Sequence, residues 1–293
     1  MNKKFKLIYS TLLILFTVYF LLDTFVIEKK YQVVTDTESD ASMALLSSSG
    51  ESSITDSSYS DNNIEITLKE YYENNTKIYV ADIVLKDSSI LKTAFAESSY
   101  GRNITETTSS IAESVNAILA INGDYYGAQE SGYVLRNGTI YRNTASDRED
   151  LVIYEDGTFE IINEQDITLE ELKEKGAYNV LSFGPALIEN GSISVDTNDE
   201  VGKAMASNPR TGIGKISENH YVFVVSDGRT DESEGLSLYE LAEFMESLGC
   251  ETAYNLDGGG SSTMYFNGEV VNNPTTNGKI HERSVSDIVY IGY

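Results

Sequence analysis

The chain has 293 residues, a net charge of -25 and a pI of about 4.3. That charge argues against nucleic acid and anionic membrane surfaces as partners, because phosphates would be repelled; phosphate recognition must be local, through a few placed arginines. A single cysteine, Cys250, excludes an intramolecular disulfide, and with only His220 and His281 a conventional zinc site is not expected. Apolar content suffices for one large domain or two small ones.

Lys3, Lys4 and Lys6 precede an uncharged run from Leu7 to Leu22, and apolar character resumes through Ile27. As a helix this stretch would reach ~31 Å, the thickness of a bilayer core. The expectation is an uncleaved signal anchor over residues 1–30: a single-pass membrane protein with its body outside the cytoplasm. Residues 31–61 read as a disordered stalk, since Thr35 to Ser60 is rich in serine, threonine and acids and has no lysine or arginine. Residues 62–293 then form the folded domain.

That domain opens with two predicted strands, from Asn63 through the alternating Ile64, Ile66 and Leu68, and from Ile78 to Leu85. Thr105 to Ala117 has helical spacing and leads into the apolar Ala117 to Ile121, then Asn122-Gly123-Asp124-Tyr125-Tyr126-Gly127. Hairpins are expected at Asn137-Gly138, Asp156-Gly157, Asn190-Gly191 and Asn267-Gly268, pairs that suit positive φ. Thr168 to Lys175 reads as a short helix. Ser237 to Gly249 is the best helix, with Ser237 as cap, Glu240 completing a capping box and Leu238, Leu241, Ala242, Met245 and Leu248 on one face. The strand Thr252 to Leu256 delivers a polar loop, Asp257-Gly258-Gly259-Gly260-Ser261-Ser262-Thr263. Cys250, between helix and strand, reads as core packing.

Residues 120–127 match 253–260 at Ala, Asn, Asp and the final Gly, each after a helix and strand and before a hairpin. The elements predict an α+β domain of mixed β-sheets with packed helices, with two related halves around a central cleft if the repeat is genuine.

Asp257 and Asp124, at the ends of buried strands, are candidate catalytic carboxylates, with the Asx-turn as the competing structural reading. Asn122 and Asn255 precede them by two residues. Arg210 in Asn208-Pro209-Arg210-Thr211-Gly212, Arg229 in Asp227-Gly228-Arg229, and Arg283 could bind phosphate through the planar guanidinium fork, unless Arg229 pairs with Asp227, Asp231 or Glu232. Successive N–H groups of the glycine loop could form an anion nest. Tyr125, Tyr126 and Tyr133 could stack on a sugar ring. No phosphate loop, dinucleotide fingerprint or HExxH occurs. The sequence requires no cofactor, while the acid-rich Asp227 to Gly235 leaves Ca²⁺ or another divalent cation open.

In combination and in order, Asn122-Gly123-Asp124-Tyr125-Tyr126, the Asn208 to Gly214 turn, Asp227-Gly228-Arg229, the Ser237 helix and Asn255 to Thr263 resemble the phosphodiester glycosidase family. The likeness runs from about Asn63 to Tyr293. It implies hydrolysis of a sugar 1-phosphodiester at the anomeric carbon, in a cell-surface or extracellular glycopolymer outside the cytoplasm. The substrate implied is a phosphate-linked glycan, with Asp257 as nucleophile or base, Asp124, Asn122 and Asn255 orienting sugar or water, and Arg210, Arg229 and residues 258–261 on the phosphate. Asp227, Ser262, Thr263 and Arg283 complete the expected substrate-binding set. Two other readings stay open: a non-catalytic binding or assembly protein for a phosphate-bearing polymer, and a metal-dependent phosphodiesterase with Asp124, Asp227 and Asp257 as ligands.

Overall fold

The computed structural model describes residues 3–25, 32–33, 52–197 and 207–293. The chain divides into two compact units, Met1–Gln32 and Val33–Tyr293. The first holds helix α1 (Lys3–Phe25). Among the described residues no helix is long and apolar enough to cross a membrane, so the expected signal anchor and single-pass topology are not supported. The helix opens with Lys3, Lys4 and Lys6 and breaks its apolar residues with Tyr9, Ser10, Thr11, Thr17 and Tyr19, which dilute its hydropathy. Residues 34–51, the larger part of the expected stalk, lie outside the described residues. The described residues at its end carry a hairpin of β1 (Ser53–Thr55) and β2 (Ser58–Ser60).

The second unit continues with β3 (Ile64–Glu73), β4 (Thr76–Leu85), β5 (Leu91–Phe95), α2 (Thr108–Ser114) and β6 (Leu119–Asn122). Then come β7 (Gly132–Arg136), β8 (Thr139–Thr144), β9 (Glu149–Tyr154), β10 (Phe159–Asn163), α3 (Leu169–Glu174) and β11 (Ala177–Leu181). They are followed by β12 (Ala186–Glu189), β13 (Ser192–Ile193), β14 (Arg210–Ser217), β15 (His220–Ser226), α4 (Leu238–Ser247) and β16 (Thr252–Leu256). The chain ends with β17 (Met264–Phe266), β18 (Glu269–Val270), the small hairpin β19 (Thr275–Thr276) and β20 (Lys279–Ile280), and β21 (Asp287–Ile291).

Among the described residues, β13-β12-β16-β14-β15-β4-β3-β2-β1 form a nine-stranded sheet. Two five-stranded sheets have the orders β8-β7-β11-β9-β10 and β18-β17-β6-β21-β5. Every pairing described in them is antiparallel. The unit is therefore mostly β with antiparallel sheets, which corrects the expected mixed sheets of an α+β fold. Local turns account for the hairpin pairs, since Asn-Gly turns join neighbouring strands directly and a two-residue turn can only return the chain antiparallel; the remaining antiparallel pairs, such as β15 with β4, join strands far apart in the sequence.

One apolar core gathers the inner faces of all three sheets, including Ile66, Ile83 and Phe223 from the first, Leu151 and Leu181 from the second, and Ile121 and Val289 from the third. Each sheet is covered on its other face by one short helix. Leu241 and Met245 of α4 meet Val80, Val222 and Val224; Leu169 and Leu172 of α3 meet Val152 and Val180; Ile111 of α2 meets Ala120 and Ile288. Cys250 is buried among the α4 contacts, as its position in the sequence suggested.

Candidate active site

Strands β6 and β16 lie in different sheets, yet the loops that follow them meet. Asn122, the last residue of β6, is fully buried and fastens them together. Its Nδ2 donates to the Asp257 carbonyl at 2.7 Å, while its Oδ1 accepts from Thr211 Oγ1 at 2.8 Å and from the Thr263 N–H at 3.3 Å. The Asp257 N–H in turn donates to the Gly123 carbonyl at 3.4 Å. The two loops border a cavity of about 270 Å³ whose lining includes Asp124, Tyr125, Asp257, Arg283 and the exposed Asn103 and Thr105. The repeated Asn-x-Asp pattern thus does present both loops to one cleft.

On one side of this cavity is a carboxylate with a cation on it. Asp257 Oδ2 accepts from Ser261 Oγ at 2.6 Å and from Arg283 Nη2 at 2.7 Å, and Arg283 Nε donates to Ser261 Oγ at 2.9 Å. The Asp257 side chain is 13% exposed and that of Arg283 43%, so the guanidinium reaches solvent while the acid stays sheltered. Burial pushes the Asp257 carboxyl up, against the opposing pull of Arg283 and Ser261. A carboxylate held this way is more basic than a solvated one and is suited to take a proton or attack an electrophile.

Asp124 is different. It borders the cavity, but its side chain is wholly buried: Oδ1 accepts from the Tyr126 N–H at 2.8 Å, and Oδ2 from Arg136 Nη2 at 2.7 Å and the Ser182 N–H at 2.9 Å. Arg136 also donates through Nε and Nη2 to Asp287 Oδ2, at 3.0 and 2.8 Å. Burial, and then the neighbouring Asp124, push the Asp287 carboxyl up while Arg136 opposes them. Sequence reasoning missed both Arg136 and Asp287. The available signal was a charge within an apolar strand, Tyr133-Val134-Leu135-Arg136 and Asp287-Ile288-Val289, where an ion costs too much to bury unpaired.

The glycine loop is packed more tightly than an open nest. The N–H groups of Gly259, Ser261 and Ser262 donate to the carbonyls of Pro209, Gly258 and Gly259, so they are already used within the fold. Gly259 has φ +64°, and a Cβ there would lie 2.9 Å from Arg229 Nη2. Gly260 lies against Thr276 of the β19–β20 hairpin. The absence of side chains therefore lets Arg229 and that hairpin close on the loop.

The other expected residues divide by position. Arg229 is exposed but its Nε and Nη2 both donate to Asn208 Oδ1, not to the acids considered as partners. Arg210 is buried, with Nε donating to the Leu236 carbonyl at 2.8 Å. Asp227 accepts from Asn272 Nδ2, from both the N–H and Nδ2 of Asn273, and from the Tyr79 hydroxyl, and so fixes the segment that leads to the β19–β20 hairpin. Asn255 is buried and donates to the Gly184 carbonyl at 2.7 Å. Ser262 and Thr263, at the end of the loop itself, are buried. Of the three tyrosines, Tyr126 and Tyr133 are buried and Tyr125 alone is exposed at the cavity. Among the described residues no group of three or more histidine, cysteine or carboxylate side chains is placed to hold a metal ion. Asp124, Asp227 and Asp257 each face different partners.

Comparison with known proteins places this geometry in context. Residues 115–292 match the family described as phosphodiester glycosidase. The SPbeta prophage-derived uncharacterized protein YomE of Bacillus subtilis is 28% identical over 240 residues, covering 76% of this chain and 36% of that protein. The mouse N-acetylglucosamine-1-phosphodiester alpha-N-acetylglucosaminidase is 35% identical over 91 residues, 30% of this chain and 17% of its own length. The human protein of that name is 36% identical over 101 residues, 30% of this chain and 19% of its own. The chain thus spans only a minor part of each of these relatives. Its fold is similar to that of the zebrafish N-acetylglucosamine-1-phosphodiester alpha-N-acetylglucosaminidase catalytic domain auto-inhibited by pro-peptide, with a TM-score of 0.62, 19% identity and coverage of 91% and 89% of the two chains. A hypothetical protein from Synechocystis gives a TM-score of 0.54 at 14% identity, covering 78% and 62%.

Proposed function

Because this chain belongs to the phosphodiester glycosidase family, we propose that it hydrolyses the glycosidic bond of a sugar 1-phosphodiester in a cell-surface or extracellular glycopolymer. The observation that carries this reading is Asp257 beside Arg283 in a cavity that also presents the exposed Tyr125. The C1–O bond breaks with its electron pair leaving on the phosphate, and water supplies the hydroxyl that C1 gains. The products are free sugar and a phosphomonoester. A phosphate is a good leaving group, so the strong acid of ordinary glycosidases is less needed than charge complementarity and a carboxylate at the anomeric face.

Asp257 attacks C1 or takes the proton of the incoming water. Arg283 holds the phosphate with the part of its guanidinium that reaches solvent. Tyr125 offers a ring to the sugar. Asn122, Asp124 and Asn255 act from beneath, fixing the two loops, and Arg229 supports Gly259 from behind. The sugar named for the mammalian relatives, N-acetylglucosamine, is the first to assay.

The test is release of free sugar from synthetic sugar 1-phosphodiesters. Asp257→Asn is expected to lower kcat by about 10²-fold or more, the scale of lost general base catalysis. Arg283→Gln is expected to raise KM for the phosphodiester. Wild-type activity in both folded variants would sink the assignment.

A further inference from the structure

The segment that carries Arg283 is tied near its ends by backbone hydrogen bonds: the His281 N–H donates to the Pro274 carbonyl, and Val285 exchanges two bonds with Glu106. Between the β19–β20 hairpin and β21, residues 281–286 run as a strap without regular secondary structure of their own beyond one bridge, Glu106 to Val285. A strap of this kind would let a long guanidinium side chain wander, since ordering it costs rotamer entropy. Yet Arg283 is drawn onto Asp257 and Ser261 at hydrogen-bond distance. A further side-chain tie between those end bonds would hold it there.

The neighbouring residue does so. Glu282 turns away from the cavity, towards α2. Its Oε1 accepts from the Ser109 N–H at 3.0 Å and its Oε2 accepts from the Ser109 hydroxyl. Ser109 lies in the first turn of α2, whose cap Thr107 also bonds to the Ser109 and Ser110 side chains. The helix is itself packed into the core through the buried Thr108, Ile111 and Ala112. Adjacent residues of the strap thus face opposite ways: Glu282 grips a rigid helix and Arg283 reaches the catalytic acid. On the other side the Arg283 N–H donates to the Gly260 carbonyl at 3.2 Å.

We infer that Glu282 is a positioning residue, which acts through Arg283 by latching the strap to α2 and so sets the charge environment of Asp257. This rests on the proposed role of Asp257 and Arg283 only for its catalytic meaning; the latch itself is a claim about structure and charge. The charged groups around Asp257 are Arg283 and, across the cavity, Asp124, whose carboxylate is taken up by Arg136. Loosening Arg283 removes the largest influence opposing burial, leaving only the hydrogen bonds from Ser261 and the Gly258 backbone, and raises the Asp257 midpoint.

The experiment reads that midpoint directly, by ¹³C NMR titration of the Asp257 carboxyl, assigned by its loss in Asp257→Asn. It is measured in the wild type, Glu282→Gln, Ser109→Ala, Arg283→Gln and the double variant Glu282→Gln with Arg283→Gln, each checked for folding by circular dichroism. Arg283→Gln should raise the midpoint by about one unit or more, the effect of removing an adjacent opposite charge. Glu282→Gln and Ser109→Ala should raise it in the same direction, and Glu282→Gln should add nothing once Arg283 is gone. An unchanged midpoint in folded Glu282→Gln would overturn the latch. So would an equal shift in the Arg283→Gln background, which would show an effect not routed through Arg283. If the wild type releases no sugar from any phosphodiester, the functional reading fails while the titration still decides the latch.

Discussion

At Gly123 the backbone passes so near Asp287 that an added Cβ would lie 2.3 Å from its Oδ1. Nothing there can yield cheaply, because Asp287 is buried and Oδ2 is held by Arg136. Gly123→Ala is therefore expected to destabilise the fold by about 1–3 kcal/mol, the usual cost of overpacking, measured by chemical denaturation. It should also displace the Gly123 carbonyl from the Asp257 N–H. In the sequence Gly123 looks like turn punctuation; its role depends on a carboxylate more than 160 positions later in the chain. Arg136 and Asp287 were hidden in a similar way, since 151 positions separate the two partners. Asp257 and Arg283 were legible because loop carboxylates and scarce arginines stand out in so acidic a chain. Arg210 stood out for the same reason, but composition says nothing about which way a guanidinium points.

Short-range signals carried furthest among the elements. Ser237 caps α4 and Glu240 reaches back to it, so both halves of the capping box are present. Ser237→Ala is expected to cost about 1 kcal/mol, read as a lower denaturation midpoint with an unchanged slope. The hairpins at Asn137-Gly138, Asn190-Gly191 and Asn267-Gly268 form where those pairs stand, each Asn and Gly at positive φ. Such features are local because the turn residues alone decide them. Which other strands then become neighbours is not local: beyond its hairpin partner β3, β4 pairs with β15, and β6 lies between β17 and β21, through contacts distant in sequence. The expected mixed sheets failed at that step. The expected anchor failed for another reason, since counting uncharged residues overstates the apolar character of a helix that contains Tyr9, Ser10, Thr11 and Thr17.

For the molecule as a whole, the buried acids set the response to pH. Burial pushes Asp150 well up, with Glu164 adding to it; burial likewise raises Asp257, and burial together with Asp124 raises Asp287. A carboxyl whose folded pKa exceeds its unfolded value contributes stability that is full below the unfolded pKa and is lost as pH rises through the folded one. Asp61, pulled down by hydrogen bonds from Tyr293 and Asn63 against the effect of burial, works the other way and loses its contribution on acidification. The net charge of -25 sides with the raised group, because self-repulsion grows as protons leave. Melting temperature is thus expected to fall between about pH 5 and about pH 8, and thermal melts across that range check it; a rise would contradict the assignment. The tie made by Asn122 between two sheets has one more consequence. It divides the cleft into parts with different freedom to evolve. Its floor is locked into the core, where drift is penalised, whereas Asn103, Thr105 and Tyr125 are exposed residues at the rim, where substitution disturbs less packing. Under the proposed activity, descendants of such a scaffold could exchange one substrate group for another at the rim while keeping Asp257 and Arg283 in place.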